Sequence, residues 1–456
     1  MTSVVTALSH RWEAAVAACL EPMPNVTIVR RCADVAELVS VTATGLGDSA
    51  VVSADLRQLD LTVIAALRSR GVWVVGLHAP DNDGEERRLR QLGVDVVLPV
   101  DAPGPVLAAA VRDRSPVVTV PGVADPGRPQ DAPVAHEGAG GWRPAGPGSA
   151  TAPEGRVDDL DAEVPLADPI SGRVLAVWGP PGAPGRTTVA VTLAAELASR
   201  GRVVLLVDAD TYGGCVAQVL GLLDEAPGIA AACRAAEHGD LDLISLARVA
   251  PEVTPRLRVL TGLPRADRWP EIRSAALERV LTLSRSLAEY VIIDCAFCLE
   301  EDEELSYDTE APRRNESTLT SLAVADEVLA VGGADPVALQ RFVRALQEVG
   351  GVPSGPPRPV INRTRPSAVG GEPRARIAAS LERFAGLSAV HFIPDDPAAA
   401  DGALLAGRSV VEHAPDSALR HAIGELATAI APDTARRSVR RRPSWWSRRG
   451  LRPTHG

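Results

Sequence analysis

Past residue 172 the sequence keeps returning to one unit: a short uninterrupted apolar run, a turn, then a helical stretch. The runs are Val174–Trp178, Val203–Asp208, Leu257–Leu260, Tyr290–Asp294, Glu327–Val331, Pro359–Asn362 and Ala389–Ile393. Short runs without polar alternation are buried on both faces, which requires a mostly parallel sheet with helices on either side. Helical stretches between them include Thr188–Ser199, Ala275–Leu287, Pro336–Val349 and Pro373–Leu387. The expected fold is therefore α/β.

The first run feeds Gly179-Pro180-Pro181-Gly182-Ala183-Pro184-Gly185-Arg186-Thr187-Thr188 and then an apolar helix. A glycine-rich turn between a strand and a helix N-terminus binds phosphate, because backbone N–H groups and the helix dipole both face the anion. The ordinary phosphate loop is G-x-x-x-x-G-K-[ST]. Aligned on Gly185, this chain has Pro180 at the first glycine and Arg186 at the lysine. Thr187 then offers its hydroxyl to Mg²⁺, and Thr188 reaches toward phosphate. The bland alternative is a glycine-rich turn that binds nothing. Two further strands end in acids. Val207-Asp208-Ala209-Asp210 places two carboxylates at a strand's C-terminal end, where ligands bind in open α/β sheets. Tyr290-Val291-Ile292-Ile293-Asp294 is an apolar strand closed by an aspartate, the pattern that serves the Mg²⁺ shell of phosphate-loop enzymes. Each aspartate alone reads as a cap or turn residue; the three signals in this order read as a nucleotide site.

These motifs, with Gly201–Asp210, Leu223–Ile229, Arg258–Gly262 and Tyr290–Asp294, make residues 172–432 resemble the MinD/ParA superfamily of deviant-Walker P-loop ATPases. The likeness is to the CpaE-like branch of pilus-assembly and localisation proteins, which join a receiver-like N-terminal domain to a MinD-like ATPase. The resemblance implies ATP and Mg²⁺ as cofactors. It implies a phosphate site of Gly182, Ala183, Pro184, Gly185, Arg186, Thr187 and Thr188. Asp210 matches the acid that orients attacking water, and Arg186 with Mg²⁺ would hold the developing charge. Thr187, Asp208 and Asp294 match the magnesium side. Asn362 matches the residue that reads the adenine edge, and Pro394 and Asp395 the loop that packs on the base. The family's signature lysine reaches across a nucleotide-sandwich homodimer; Pro181 occupies that position, and Arg313 or Arg314 are the arginines proposed to replace it. Arginine stays charged and pairs with phosphate oxygens, but it is bulkier than lysine and planar.

Residues 1–120 form the expected smaller domain. Between residues 25 and 118, candidate strands Val26–Val29, Ala50–Ser53, Val72–Leu77 and Val94–Pro99 alternate with helical stretches near Asp34–Thr42, Leu61–Arg70, Gly84–Leu92 and Pro105–Arg112. That alternation implies a small parallel sheet. It resembles a response-regulator receiver. Asp55 lies near the phosphoacceptor position, but no acidic pair follows the first strand and no lysine accompanies the last, so a degenerate, unphosphorylated receiver is expected. The bland role for Asp55 is a helix cap or loop residue. Residues 121–168, punctuated by proline and glycine and acidic at the end, read as a linker. The ATPase-like domain is expected over 169–432 and a basic tail over 433–456.

Composition narrows the function classes. The 456-residue chain carries a net charge of −11, which argues against a whole-surface nucleic-acid binder. It contains no lysine, so every mechanism requiring a lysine ammonium is excluded. Six cysteines are too few for a disulfide framework and fit a reducing cytosol. Cys295 and Cys298 form a C-x-x-C without a second pair at zinc spacing, and read as two reduced thiols. No apolar run is long enough to span a membrane, and the opening residues lack a clean apolar leader. The acidic run Glu300, Glu301, Asp302, Glu303 and Glu304 reads as a solvated loop or a docking site for a basic partner. The tail, Arg436–Arg452 with Trp445 and Trp446, reads either as a merely disordered basic segment or as a contact that suits an anionic membrane surface more than nucleic acid. The chain is expected in the cytoplasm, or peripherally on the inner face of the plasma membrane. Two functions stand side by side: an ATP-binding, slowly hydrolysing switch that places a pilus, secretion, division or chromosome-segregation machine, and a non-catalytic scaffold on the same fold. A DNA-bound partition ATPase is the third reading.

Overall fold

The computed structural model describes residues 1–114, 171–182, 184–222, 226–301, 312–351 and 355–432. The acidic linker 121–168, the tail 433–456, Ala183 and Asp302–Glu304 of the acidic run lie outside the described residues.

The N-terminal domain is a five-stranded parallel sheet of order β2-β1-β3-β4-β5. Its strands are β1 (Thr2–Ala7), β2 (Val26–Cys32), β3 (Ser49–Ser53), β4 (Trp73–His78) and β5 (Val96–Pro99). This doubly wound order is receiver-like. The sequence reading does not include β1, although Val4, Val5 and Ala7 are fully buried between β2 and β3. Its short apolar stretch is broken up by Thr2, Ser3 and Thr6. Adjacent residues serve opposite cores: Val5, Ala50, Val52 and Val74 face one, and Val4, Val51, Val75 and Leu77 the other. Asp55 is exposed just past β3, and Ser9 Oγ donates to it at 2.7 Å. A serine therefore stands at the end of β1, where an acidic pair would hold a cation. The cap of the following helix, Leu61–Ser69, is Asp60, which accepts from Val63 N.

The larger domain carries an eight-stranded sheet of order β13-β12-β11-β6-β10-β7-β9-β8. Its strands are β6 (Arg173–Trp178), β7 (Val204–Ala209), β8 (Glu252–Thr254), β9 (Leu257–Leu260), β10 (Tyr290–Cys295), β11 (Glu327–Gly333), β12 (Arg358–Thr364) and β13 (His391–Pro394). All pairs are parallel except β8 with β9 at one edge. Along β6, Val174, Ala176 and Trp178 face one core while Leu175 and Val177 face the other. Helices Gly228–His238, Ser274–Leu287, Pro336–Val349 and Pro373–Ala385 cover the first face; Arg186–Ser199 and Ala418–Ile430 cover the second. Burial on both faces explains the absence of polar alternation. The architecture is that of a P-loop NTPase domain preceded by a receiver-like domain.

Arg88, on helix Asp83–Gln91, joins the two sheets' surroundings. Its Nη1 donates to Ala54 O and its Nη2 to Leu59 O, both at 2.7 Å, spanning the loop that holds Asp55. Its Nε donates to His238 O at 3.0 Å, at the end of helix Gly228–His238. Gly239 follows with φ +75°, and a Cβ there would stand 2.9 Å from Arg88 O. Arg273 adds a looser bridge, 3.4 Å from Glu237 and 3.8 Å from Asp60. Hydrogen bonds from a charged donor contribute about 1.5–3 kcal/mol each, and removing the donor leaves carbonyls unpaired. Arg88→Ala is expected to lower stability by roughly 2–4 kcal/mol, read as a fall in the urea midpoint of the N-terminal transition; an unchanged midpoint would show that the three carbonyls do not depend on this side chain.

Candidate functional site

The site lies at the C-terminal ends of the central strands. β10 is flanked by β6 and β7, and the register sets Asp294 opposite both Val177 and Asp208. β6 runs directly into the glycine-rich loop. Its last residue, Trp178, is buried and donates Nε1–H to Phe297 O at 3.2 Å, tying the loop's root to the segment after β10.

Glycine is required in the loop for stated reasons. Gly182 has φ +112° and Gly185 φ +94°, both in the left-handed region. Gly185 caps helix Arg186–Ser199, and a Cβ there would lie 2.4 Å from Asn362 Nδ2. Gly179 has no room either: a Cβ would meet Val331 O at 2.2 Å.

Thr187 and Asp294 are brought together. The Thr187 hydroxyl donates to Asp294 Oδ2 at 2.6 Å. Asp294 is buried, and its Oδ1 has no hydrogen-bond partner. Burial holds this carboxyl well above the usual range; Asp208 reinforces the shift and the Thr187 hydroxyl opposes it. A hydroxyl beside a buried carboxylate oxygen that lacks a partner is a hard oxygen donor set, and it fits Mg²⁺. Among the described residues no cluster of three or more His, Cys, Asp or Glu could hold a metal unaided.

Asp208 pairs in register with Asp294 across β7 and β10. Its Oδ2 accepts from Val216 N at 3.0 Å and its Oδ1 from Asp210 N at 3.3 Å. Both oxygens thus brace the loop 210–216. Gly262 and Gly214 make room for it, since a Cβ on either would stand 2.4 Å or 3.0 Å from its carboxyl group. Burial pushes the Asp208 carboxyl up to about 7, with Asp210 adding to the shift and the Val216 N–H opposing it. Asp210 turns Oδ1 back to Tyr212 N and Gly213 N, at 2.9 and 3.0 Å. Its Oδ2 lies 3.4 Å from Arg186 Nη2.

Arg186 is engaged by its own loop. Nη1 donates to Gly179 O at 3.1 Å and to Pro180 O at 3.3 Å, while Nε is buried without a partner. Thr188 follows on the same helix, half-buried. Asn362 is buried: Nδ2 donates to Pro184 O at 2.9 Å and Oδ1 accepts from Arg363 N. It buttresses the phosphate loop. Pro394 lines a recess of about 400 Å³ with Thr364 and Glu372–Ala375. Asp395 lies beside it, 3.6 Å from Arg365. Arg313 and Arg314 are held elsewhere: Arg313 is 3.9 Å from Glu316, and the Arg314 guanidinium sits 4.0 Å over the Tyr212 ring. Tyr212 also donates its hydroxyl to Asn315 and packs on Phe297, so the two loops that follow β7 and β10 meet through one aromatic. Cys295 and Cys298 are free thiols. Sequence reading overlooked Trp178, Tyr212 and the glycines around Asp208; only Gly214 and Gly262, beside motifs already singled out, carried a signal.

No family model matches the sequence, and no curated protein matches it. Solved structures do. A ParA family ATPase from Chlorobium tepidum TLS is 20% identical, with a TM-score of 0.47, over 56% of this chain and 98% of its own. The cell division ATPase MinD of Pyrococcus furiosus is 20% identical, with a TM-score of 0.44, over 57% and 98%. The septum site-determining protein MinD of Pyrococcus horikoshii OT3, complexed with Mg-ADP, is 19% identical, with a TM-score of 0.45, over 57% and 96%. At these identities and scores the likeness carries nothing about chemistry, which rests on this chain's own side chains.

The raised Asp208 carboxyl fixes a pH dependence. A folded-state pKa above the unfolded value means that the folded chain binds the extra proton, so stability is lost as pH rises from the unfolded value toward the folded one. Asp208→Asn removes that loss. Its stability relative to the parent should rise between about pH 4 and pH 7 in metal-free buffer, measured by urea denaturation at each pH, and level off above. A difference independent of pH would place the Asp208 carboxyl in the ordinary range.

Proposed function

We propose that this chain is a nucleotide-dependent switch that binds ATP with Mg²⁺ at the phosphate loop 179–188. One observation carries the reading: Asp294, buried with a free Oδ1, receives the Thr187 hydroxyl directly beneath a loop whose glycines adopt left-handed backbone. A buried carboxyl with an unpaired oxygen is costly to ionise unless a cation completes it; without one it keeps its proton, as the raised Asp294 carboxyl does. When bound, Mg²⁺ would neutralise charge on the β- and γ-phosphate oxygens. Thr187 and Asp294 would hold it, and Asp208 positions the loop that carries Asp210. Gly182 and Gly185 would present backbone N–H groups to phosphate, with Asn362 fixing Pro184 from behind. Thr188 and Arg186 flank the same oxygens. The recess at Pro394, with Asp395 at its edge, takes the base.

Hydrolysis asks two things of the site. Asp210 must orient the attacking water, and Arg186 must stabilise the charge of the transferring phosphoryl group. Both tasks require the Arg186–Asp210 pair to open toward the ligand. The biological reading is spatial organisation by a MinD/ParA-like, CpaE-like protein: placement of a pilus, secretion, division or chromosome-segregation machine from the cytoplasm. A homodimer and peripheral contact of Arg436–Arg452 with anionic membrane belong to the same proposal. Among the described residues no helix is long and apolar enough to cross a membrane.

A non-catalytic scaffold is the second reading. It is favoured by the engagement of Arg186 with Gly179 O, Pro180 O and Asp210. Single-turnover hydrolysis separates the two. The switch reading expects a slow Mg²⁺-dependent rate that falls by about 10²-fold or more in Asp210→Ala, the scale of losing one group that acts in the transition state. Thr187→Ala should raise the Mg²⁺ concentration needed for half the rate. Saturable nucleotide binding without turnover in the parent would leave the scaffold.

A further inference from the structure

The phosphate loop lacks a free cation of its own. The chain has no lysine, Pro181 stands where the resemblance expects one, and Arg186 is bonded to two loop carbonyls and lies near Asp210. Bound polyphosphate needs positive charge at its outer oxygens. Such a charge is present on a neighbouring element.

Helix Pro336–Val349 starts at the C-terminal end of β11, with Asp335 as its cap accepting from Val337 N and Ala338 N. It approaches the sheet closely because β11 ends in Gly332 and Gly333. A Cβ on Gly332 would lie 2.7 Å from Phe342, and one on Gly333 would lie 2.8 Å from Ala338. Phe342 is fully buried, which fixes the rotation of the helix. The preceding residue, Arg341, is exposed and extends toward the loop tip. A Cβ at Gly182 would stand 2.8 Å from Arg341 Nη1 and 4.0 Å from Cζ, so the guanidinium lies against the loop at Gly182. Among the described residues Arg341 has no hydrogen-bond or ion-pair partner, in contrast to Arg186. The same site holds Asp294, buried with an oxygen that lacks a partner.

We propose that Arg341 binds the outer phosphate oxygens of a nucleoside di- or triphosphate, supplying within one chain the charge that the loop itself lacks. This assignment rests on the nucleotide reading above. The guanidinium fork engages two oxygens at once, and a cation beside Gly182 that meets only the outer oxygens would favour ligands with a β- or γ-phosphate over monophosphates.

The test measures ATP, ADP and AMP affinities with Mg²⁺ on the full chain, its Arg341→Ala and Arg341→Lys variants, and Arg344→Ala as a control from the same helix. Arg341→Ala should weaken ATP and ADP binding about tenfold or more. AMP binding should be unchanged, Arg341→Lys should recover part of the loss, and Arg344→Ala should match the parent. The thermal midpoint of ligand-free Arg341→Ala should equal the parent's, since the side chain is exposed. A parent that binds ATP while Arg341→Ala binds it equally well would overturn the assignment alone. So would equal losses for ATP and AMP. A parent that binds none of the three removes the nucleotide reading and this assignment with it.

Discussion

The Thr187–Asp294 hydrogen bond concentrates the demands of the larger domain in one place. Asp294 ends a central strand of a sheet covered on both faces, so the run Val291–Ile293 that makes the strand fold also buries its terminal carboxylate. Water cannot solvate it fully, and only one of its oxygens has a protein partner. The hydroxyl that approaches it comes from the first turn of a helix whose start is fixed by Gly185 in the left-handed region. Loop conformation, helix position and strand burial therefore converge on one pair of side chains. A cation between this pair and a polyphosphate would satisfy all three together.

Around that pair the chain has replaced point charges by braced geometry. Arg186 is larger than a lysine and finds its nearest acceptors in the loop's own carbonyls. Asp208 spends both oxygens on the backbone between Asp210 and Val216. Asn362 holds Pro184 from behind. Each contact braces a loop of the site. The pairing of Arg186 with Asp210 joins the glycine-rich loop after β6 to the loop after β7.

Much of this was legible in the sequence because its cause is local. The apolar runs of β6, β7, β10 and β11 announce burial on both faces, and each observed strand lies within a few residues of its run. The glycine-rich turn and the strand-end acids were visible for the same reason. What escaped depends on tertiary approach. β1 is an interior strand of the smaller sheet, but threonine and serine interrupt its apolar residues and it does not stand out. The direction of the Asn362 amide and the ring of glycines around Asp208 follow from packing between distant segments. Arg341 looks like an ordinary exposed helix residue until Gly332, Gly333 and Gly182 let its helix and the loop meet. Arg313 and Arg314, nearer in sequence to the second acid, are occupied by Glu316 and Tyr212.

Calorimetric titration of the full chain with ATP, with and without Mg²⁺, bears most directly on the central proposal that Asp294 and Thr187 bind a cation together with a polyphosphate. The account predicts one saturable site per chain, bound more tightly with Mg²⁺, and loss of that Mg²⁺ enhancement in Asp294→Asn. Binding that is indifferent to Mg²⁺ in the parent, or no heat at millimolar nucleotide, would contradict it.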